Sequence, residues 1–371
     1  MTQQSASLTP PLRRTPLFER HVAAGARMVE FAGWEMPIQY EGILAEARAV
    51  RSSAGIFDVS HMGRFEITGA DAAAFLSRVL TREVAGMRNQ RARYTLICNQ
   101  AGGIIDDTIV YRRGVEQFLL VPNAANASEV LGWLVRWREE WGQDVEFNVV
   151  TRETALIALQ GPNAEAILQP NCAVDLSNFP AFRSVEAPVF GVQAVVGRTG
   201  YTGEDGFEMV LPAEAAPDVW NRLADAGATP CGLGARDVLR LEAGLLLHGS
   251  DMDATVTPLE AGLDRFVSWD TGEFIGLAAM QQMQGAGLSR VLVGFHLLER
   301  GIPRHGNDIL DGETVVGSVT SGTHSPTLDM GIGLGYVAMG APEPGTRLKI
   351  DIRGRRVEAE VASIPFYSRR R

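Results

Sequence analysis

The sequence predicts an α+β fold built on antiparallel sheets, with a separate all-strand unit near its C-terminal end. Three observations carry this. Short strand-like runs separated by turns fill Tyr94 to Val121, helices and strands never alternate in a regular βαβ rhythm, and almost everything after Ser289 is strand and turn. A doubly wound parallel sheet needs that rhythm, so the antiparallel class is preferred.

Taken in order, EGILAEARAVR (41–51) has helical spacing, and FDVSHMGRFEITG (57–69) alternates like a single strand. ADAAAFLSRVL (70–80) is again helical. RYTLICN, the turn Gln100–Gly103, IIDDTIVYR and QFLLVPN then form the antiparallel signature. After Asn126, residues Val130, Leu131, Leu134, Val135, Arg138 and Trp141 fall at helical spacing behind an Asn126/Glu129 capping pair. Trp133, Trp137 and Trp141 on that helix read as packing residues rather than a stacking platform. TALIALQ, GPNAEAILQ, QAVVGRTGYTGEDGFEMVL and APDVWNRLADAG mix strand and helix, and MQGAGLS (283–289) reads as a linker. SRVLVGFHL, DILDGETVVGSVTSG, MGIGLGYVA and RLKIDIRGRRVEAEVA, with turns at Asp311-Gly312 and Arg353-Gly354, suggest a small barrel or sandwich.

Composition narrows the function classes. With 371 residues, 46 % of them hydrophobic, the chain can bury more than one core. Its net charge of -10 disfavours nucleic acid and anionic membranes as partners. Cys98, Cys172 and Cys231 lack paired spacing, and the six histidines show neither HxH nor HExxH, so neither a disulfide framework nor a metal site is expected. No GxSxG elbow supports a hydrolase. The absence of a long apolar run or a secretory core favours the cytoplasm.

Three segments can carry chemistry. In IIDDTIV, Asp106 and Asp107 interrupt an apolar strand, so one of the two must face inward, and alternation does not say which. A buried carboxylate costs several kcal/mol unless partners receive it, and such groups are commonly functional. The plain alternative is a strand-edge pair held by backbone amides. In RTGYTGEDGFE (198–208), glycine at every third position lets backbone approach a flat ligand, Tyr201 offers a stacking face, and Glu204, Asp205 and Glu208 can accept ring N–H donors. A glycine-rich hairpin is the competing reading. In GLGARD (232–237), Arg236 suits a ligand carboxylate or a pairing with Asp237. Ser60-His61 sits among packing residues, and His61 reads as structural rather than as a base.

These segments, together with RRTPLF, FAGWEMP, FDVSHMG, GGIIDD, NAAN, LQGP, LRLEAG, TPLEAGL, GIPRHG, SPTL and PFY in the same order, make the chain resemble the glycine cleavage T-protein family over nearly its whole length. The resemblance implies a three-lobed folate-binding fold: a discontinuous first lobe (1–60 and 145–282), an inserted second lobe (61–144) and a C-terminal β-barrel (283–371). It implies aminomethyl transfer from the lipoyl arm of H-protein to tetrahydrofolate, releasing ammonia and methylenetetrahydrofolate. It also assigns the catalytic carboxylate to Asp107 and folate contacts to Met62, Tyr94, Tyr111, Asn123, Tyr201, Glu208 and Arg236. Pro122, Leu277 and Asp329-Met330 depart from the family pattern: Pro122 removes a backbone donor beside Asn123, and the other positions lack basic residues that would favour an acidic carrier. No Lys-Gly-Cys motif or dinucleotide fingerprint points to other branches of the fold.

Overall fold

Apolar side chains alternating along short strands need a second surface to cover them, and this chain meets that need with several sheets. The computed structural model describes residues 11–369 apart from 271, 339 and 341. Among these residues, a six-stranded sheet runs in the order Ser184–Val189, Val192–Gly197, Gly206–Pro212, Thr154–Gln160, Gly55–Asp58, Thr229–Cys231. It is antiparallel except for the last pair. A wholly antiparallel five-stranded sheet follows the order Arg91–Cys98, Ile104–Arg112, Gln117–Val121, Phe65–Thr68, Glu146–Val149. Arg13–Arg14, Arg27–Phe31 and Trp34–Gln39 make a small third sheet.

The six-stranded sheet takes one strand from before residue 60 and the rest from after residue 150, while the five-stranded sheet lies wholly between. We propose the same three lobes that the sequence suggests, with the return to the first lobe after Val149 rather than at 145. Glu146–Val149 pairs with Phe65–Thr68 and so belongs to the inserted sheet.

FDVSHMGRFEITG is not one strand. Gly55–Asp58 and Phe65–Thr68 join different sheets, and a turn intervenes, with the Ser60 N–H donating to Asp58 Oδ1 at 2.8 Å and the Met62 N–H to the Val59 carbonyl at 3.1 Å. The fully buried Arg64 guanidinium fixes this crossover by donating to the carbonyls of Ser60 and Thr154 at 2.8 and 2.9 Å. Polar needs inside the core thus override the alternating pattern.

Helix Ala127–Trp141 buries Val130, Leu134 and Trp137, and Gly142 ends it in the left-handed region at φ 61°. Asn126 precedes it without capping it, because its amide is used elsewhere. The expected linker at 283–289 is half helix: Leu277–Ala286 runs through Met283 and stops at Gly287, φ 84°. Beyond it, Val291–Leu297, Met330–Val337, Thr314–Ser325, Asp308–Asp311, Arg347–Ile352 and Arg355–Ala362 close into a barrel, deciding against a sandwich. Val293, Phe295, Ile309, Ile350 and Val361 fill it, each burial contributing about 2 kcal/mol. Cys98, Cys172 and Cys231 are buried free thiols, and no described helix is long and apolar enough to cross a membrane.

Candidate active site

Asp106 and Asp107 lie on the Ile104–Arg112 strand, one place in from the edge of the five-stranded sheet. The sequence leads one to expect a single inward acid, yet both are enclosed, at 0 % and 9 % exposure. Opposite faces of the strand are covered by different elements. Asp106 accepts from the Asn123 backbone N–H at 2.9 Å, Asn123 Nδ2 at 2.8 Å and Asn126 Nδ2 at 2.6 Å. Asp107 faces a cavity of about 880 Å³ and accepts from Tyr94 Oη at 3.0 Å and Asn123 Nδ2 at 2.8 Å.

Among the described residues, neither carboxylate touches a cation through a hydrogen bond or ion pair. Burial raises both above the ordinary carboxylate range, and for Asp106 the neighbouring Asp107 charge adds to the effect. The donated hydrogen bonds oppose this shift without cancelling it. Burial also drives the Tyr94 hydroxyl well up, with the Asp107 charge second, so Tyr94 stays a donor.

Across the cavity, Glu208 accepts from Thr199 Oγ1 at 2.6 Å, and Tyr111 Oη lies 2.9 Å from the same hydroxyl. Tyr201 donates to the Leu246 carbonyl, and Arg236 lies 4.7 Å over its ring. Arg236 Nη1 is buried without a hydrogen-bond partner, and burial lowers the basicity of this guanidinium. The expected alternative, an Arg236–Asp237 pair, does not form because Asp237 pairs with Arg240 at 2.8 Å.

All eight residues that the resemblance assigns to the site, Met62, Tyr94, Asp107, Tyr111, Asn123, Tyr201, Glu208 and Arg236, line this one cavity, whereas the candidates Asp106, Glu204 and Asp205 do not. The glycine-rich segment supplies less than its composition suggests. Glu204 pairs with Arg51 and Asp205 with Arg198, leaving Tyr201 and Glu208 as its cavity-facing polar side chains. Gly200 serves packing, since a Cβ there would stand 1.9 Å from Gln160 Oε1. His61 borders the cavity, but burial first, and nearby Arg236 and Arg64 after it, push it down to about 3, so it is neutral and packs edge-on to Phe31. His248, Arg265, Arg304, His305 and His324 also reach the wall, and the residue-by-residue reading named none of them for the site. GIPRHG, which contains Arg304 and His305, was their only signal. Among the described residues no cluster of three or more metal-ligating side chains forms.

The N-terminal part matches the GCVT N-terminal domain over residues 17–271, and residues 290–368 match the glycine cleavage T-protein C-terminal barrel domain. An aminomethyltransferase of Rubrobacter xylanophilus is 51 % identical over 97 % of this chain and 95 % of its own length. That of Moorella thermoacetica is 45 % identical over 96 % and 98 %. The crystal structure of glycine cleavage system aminomethyltransferase T from Bartonella henselae superposes with a TM-score of 0.91, at 36 % identity, covering 97 % of this chain and 99 % of that one. The chain belongs to the glycine cleavage T-protein family.

Within that T-protein frame, the three sequence departures have different surroundings. Pro122 leaves the local bonding of Asn123 intact: the Pro122 carbonyl accepts the Gly63 N–H at 2.9 Å, and the Asn123 N–H donates to Asp106 at 2.9 Å. Leu277 is buried at the start of its helix, where an unpaired charge would be costly. Asp329 sits exposed at φ 55°, its carboxylate 3.4 Å from His324.

Proposed function

We propose that the cavity holds tetrahydrofolate as co-substrate and that Asp107 is the catalytic carboxylate. As a member of its family, the chain is an aminomethyltransferase of the glycine cleavage system, an enzyme that moves a one-carbon unit. In the full reaction we assign, aminomethyl-lipoyl H-protein and tetrahydrofolate give methylenetetrahydrofolate, ammonia and dihydrolipoyl H-protein. The observation that supports this reading best is a buried carboxylate that faces the cavity and, among the described residues, is held by two neutral donors and no cation.

The lining suits a folate. Its volume lies in the usual range for small-ligand pockets, and the buried, unpartnered Arg236 Nη1 is what a ligand carboxylate or ring acceptor would satisfy. Glu208 can accept from a pterin N–H edge, while Met62, Tyr111 and Tyr201 form walls, and Asn123 and Tyr94 keep Asp107 aimed. When bound, tetrahydrofolate supplies the nitrogen that accepts the carbon.

Asp107 is suited to accept a hydrogen bond from the acceptor amine, orient its lone pair and stabilise positive charge as it develops. Burial raises the proton affinity of the carboxyl, which favours its taking up a proton from the reacting amine. Three buried free thiols fit a reducing compartment, and we place the protein in the cytoplasm.

A coupled assay with lipoylated H-protein carrying the aminomethyl group tests the reading. Ammonia release should require both the carrier and tetrahydrofolate; release from a free amine at the same rate would refute the carrier. Tetrahydrofolate alone at a hundred times its Kd should stabilise the fold by about 2.7 kcal/mol, seen as a higher melting temperature. No shift at that saturation would remove folate from the cavity.

A further inference from the structure

Behind Asp107 runs a chain of hydrogen bonds with a fixed direction. His248 Nε2 lies 3.1 Å from the Ile104 carbonyl, which can only accept, so the proton sits on Nε2 and Nδ1 is left as an acceptor. Nδ1 takes one N–H of the Asn126 amide at 2.9 Å, and that amide gives its other N–H to Asp106 Oδ1 at 2.6 Å. Turning the Asn126 amide over would set its oxygen against the Asp106 carboxylate and against a ring acceptor. Its orientation is therefore determined by both neighbours.

Asp106 in turn accepts the backbone N–H of Asn123 at 2.9 Å and one side-chain N–H at 2.8 Å. The remaining Asn123 N–H is shared by two acceptors of one residue, Asp107 Oδ1 at 2.8 Å and the Asp107 carbonyl at 3.0 Å. The order His248, Asn126, Asp106, Asn123, Asp107 thus leaves each amide one arrangement of donors. It spans sequence positions from 106 to 248 and joins the inserted sheet to the segment after helix Leu233–Glu242.

We propose that Asp106, Asn126 and His248 are positioning residues for the transfer reaction, acting through Asn123 to lock the rotamer of Asp107 and present one carboxylate oxygen to the acceptor nitrogen. The inference rests on Asp107 being the catalytic carboxylate. A carboxylate held by two donors alone could swing about its Cα–Cβ bond; one anchored through a directional chain loses that freedom before substrate arrives. The other charged or titratable groups facing Asp107 are Tyr94, Tyr201, Arg236 and His248, and of these Tyr94 alone bonds to it directly.

The experiment compares Asn126→Ala, His248→Ala and their double variant with the parent and with Asp107→Asn, measuring ammonia release across pH and melting temperature in each. Each single variant should lose roughly ten-fold or more in kcat, consistent with a small misplacement of a reacting group. The double variant should lose no more than the worse single one, because a chain broken once is already broken. A further variant, Asn126→Asp, puts a third carboxylate beside Asp106 and should move the acid limb of kcat/KM upward, which loss of packing alone would not do.

Multiplying losses in the double variant, or an acid limb that stays put in Asn126→Asp, would overturn the proposal while Asp107→Asn remained inactive. Normal turnover by Asp107→Asn would instead refute the assignment on which it rests, and the proposal with it. Folding is controlled by the melting temperature, and Asn126→Asp, nearly isosteric, keeps the test open should an alanine variant unfold.

Discussion

Two buried acids, Asp58 and Asp107, lie on strands of neighbouring sheets and differ in what receives them. Asp58 is sealed: Thr15 Oγ1 donates to it at 2.6 Å, the Ser60 N–H at 2.8 Å, and His21 Nε2 lies 2.9 Å away, itself backed by Tyr40 at 2.8 Å. Despite burial, the histidine and these donors hold its carboxyl down at about 2. Asp107 has two neutral donors, a second acid beside it and an open cavity in front, and its proton affinity rises. Burial alone therefore does not mark a reactive acid. A buried acid left without a cation and facing free volume does.

The comparison can be broken most sharply at the reactive end. Asp107→Asn should fold normally and lose roughly two orders of magnitude or more in turnover, the scale of a lost electrostatic contact in an active site; steady-state ammonia release measures it. Asp58→Asn should do the reverse. Breaking that enclosed group should cost about 3 kcal/mol of stability in denaturant unfolding, with turnover per folded molecule near that of the parent.

The two acids should also give stability opposite dependences on pH. For Asp58 the folded value is depressed, so its contribution, about 2 kcal/mol, is complete above the ordinary carboxylate range and is lost as pH falls through about 2. For Asp106 and Asp107 the folded values are raised, so ionising them costs stability as pH climbs from about 4 into their raised range. The smallest expected effect follows: without folate, Asp107→Asn should be as stable as the parent near neutral pH or more so, by up to about 1 kcal/mol. A clear loss of stability in that variant would make Asp107 a structural acid like Asp58.

Much of this architecture was legible in the sequence because local patterns and tertiary packing agree. Alternation around IIDDTIV places its two acids on opposite faces, and Gly-bounded apolar runs give the barrel strands. Legibility failed where a side chain had two possible uses. Asn126 stands where a helix cap should, yet its amide goes to Asp106 and His248, contacts 20 and 122 residues away in sequence. Glu204 and Asp205 look like ligand acceptors beside Tyr201, but Arg51 and Arg369 from distant segments, and Arg198 from the same motif, claim them. His248 carries no local signal because its partners are an amide across the inserted lobe and a backbone carbonyl. The strand break after Asp58 is similarly dictated by Arg64, which seeks carbonyls that only the folded crossover brings together.

The most direct test of the account is a crystal structure of the protein with tetrahydrofolate bound. The account predicts the pterin in the cavity between Glu208 and Asp107, with an Asp107 carboxylate oxygen within hydrogen-bonding distance of the acceptor amine. A folate bound elsewhere, with the Asp107 side chain turned to water, would contradict it.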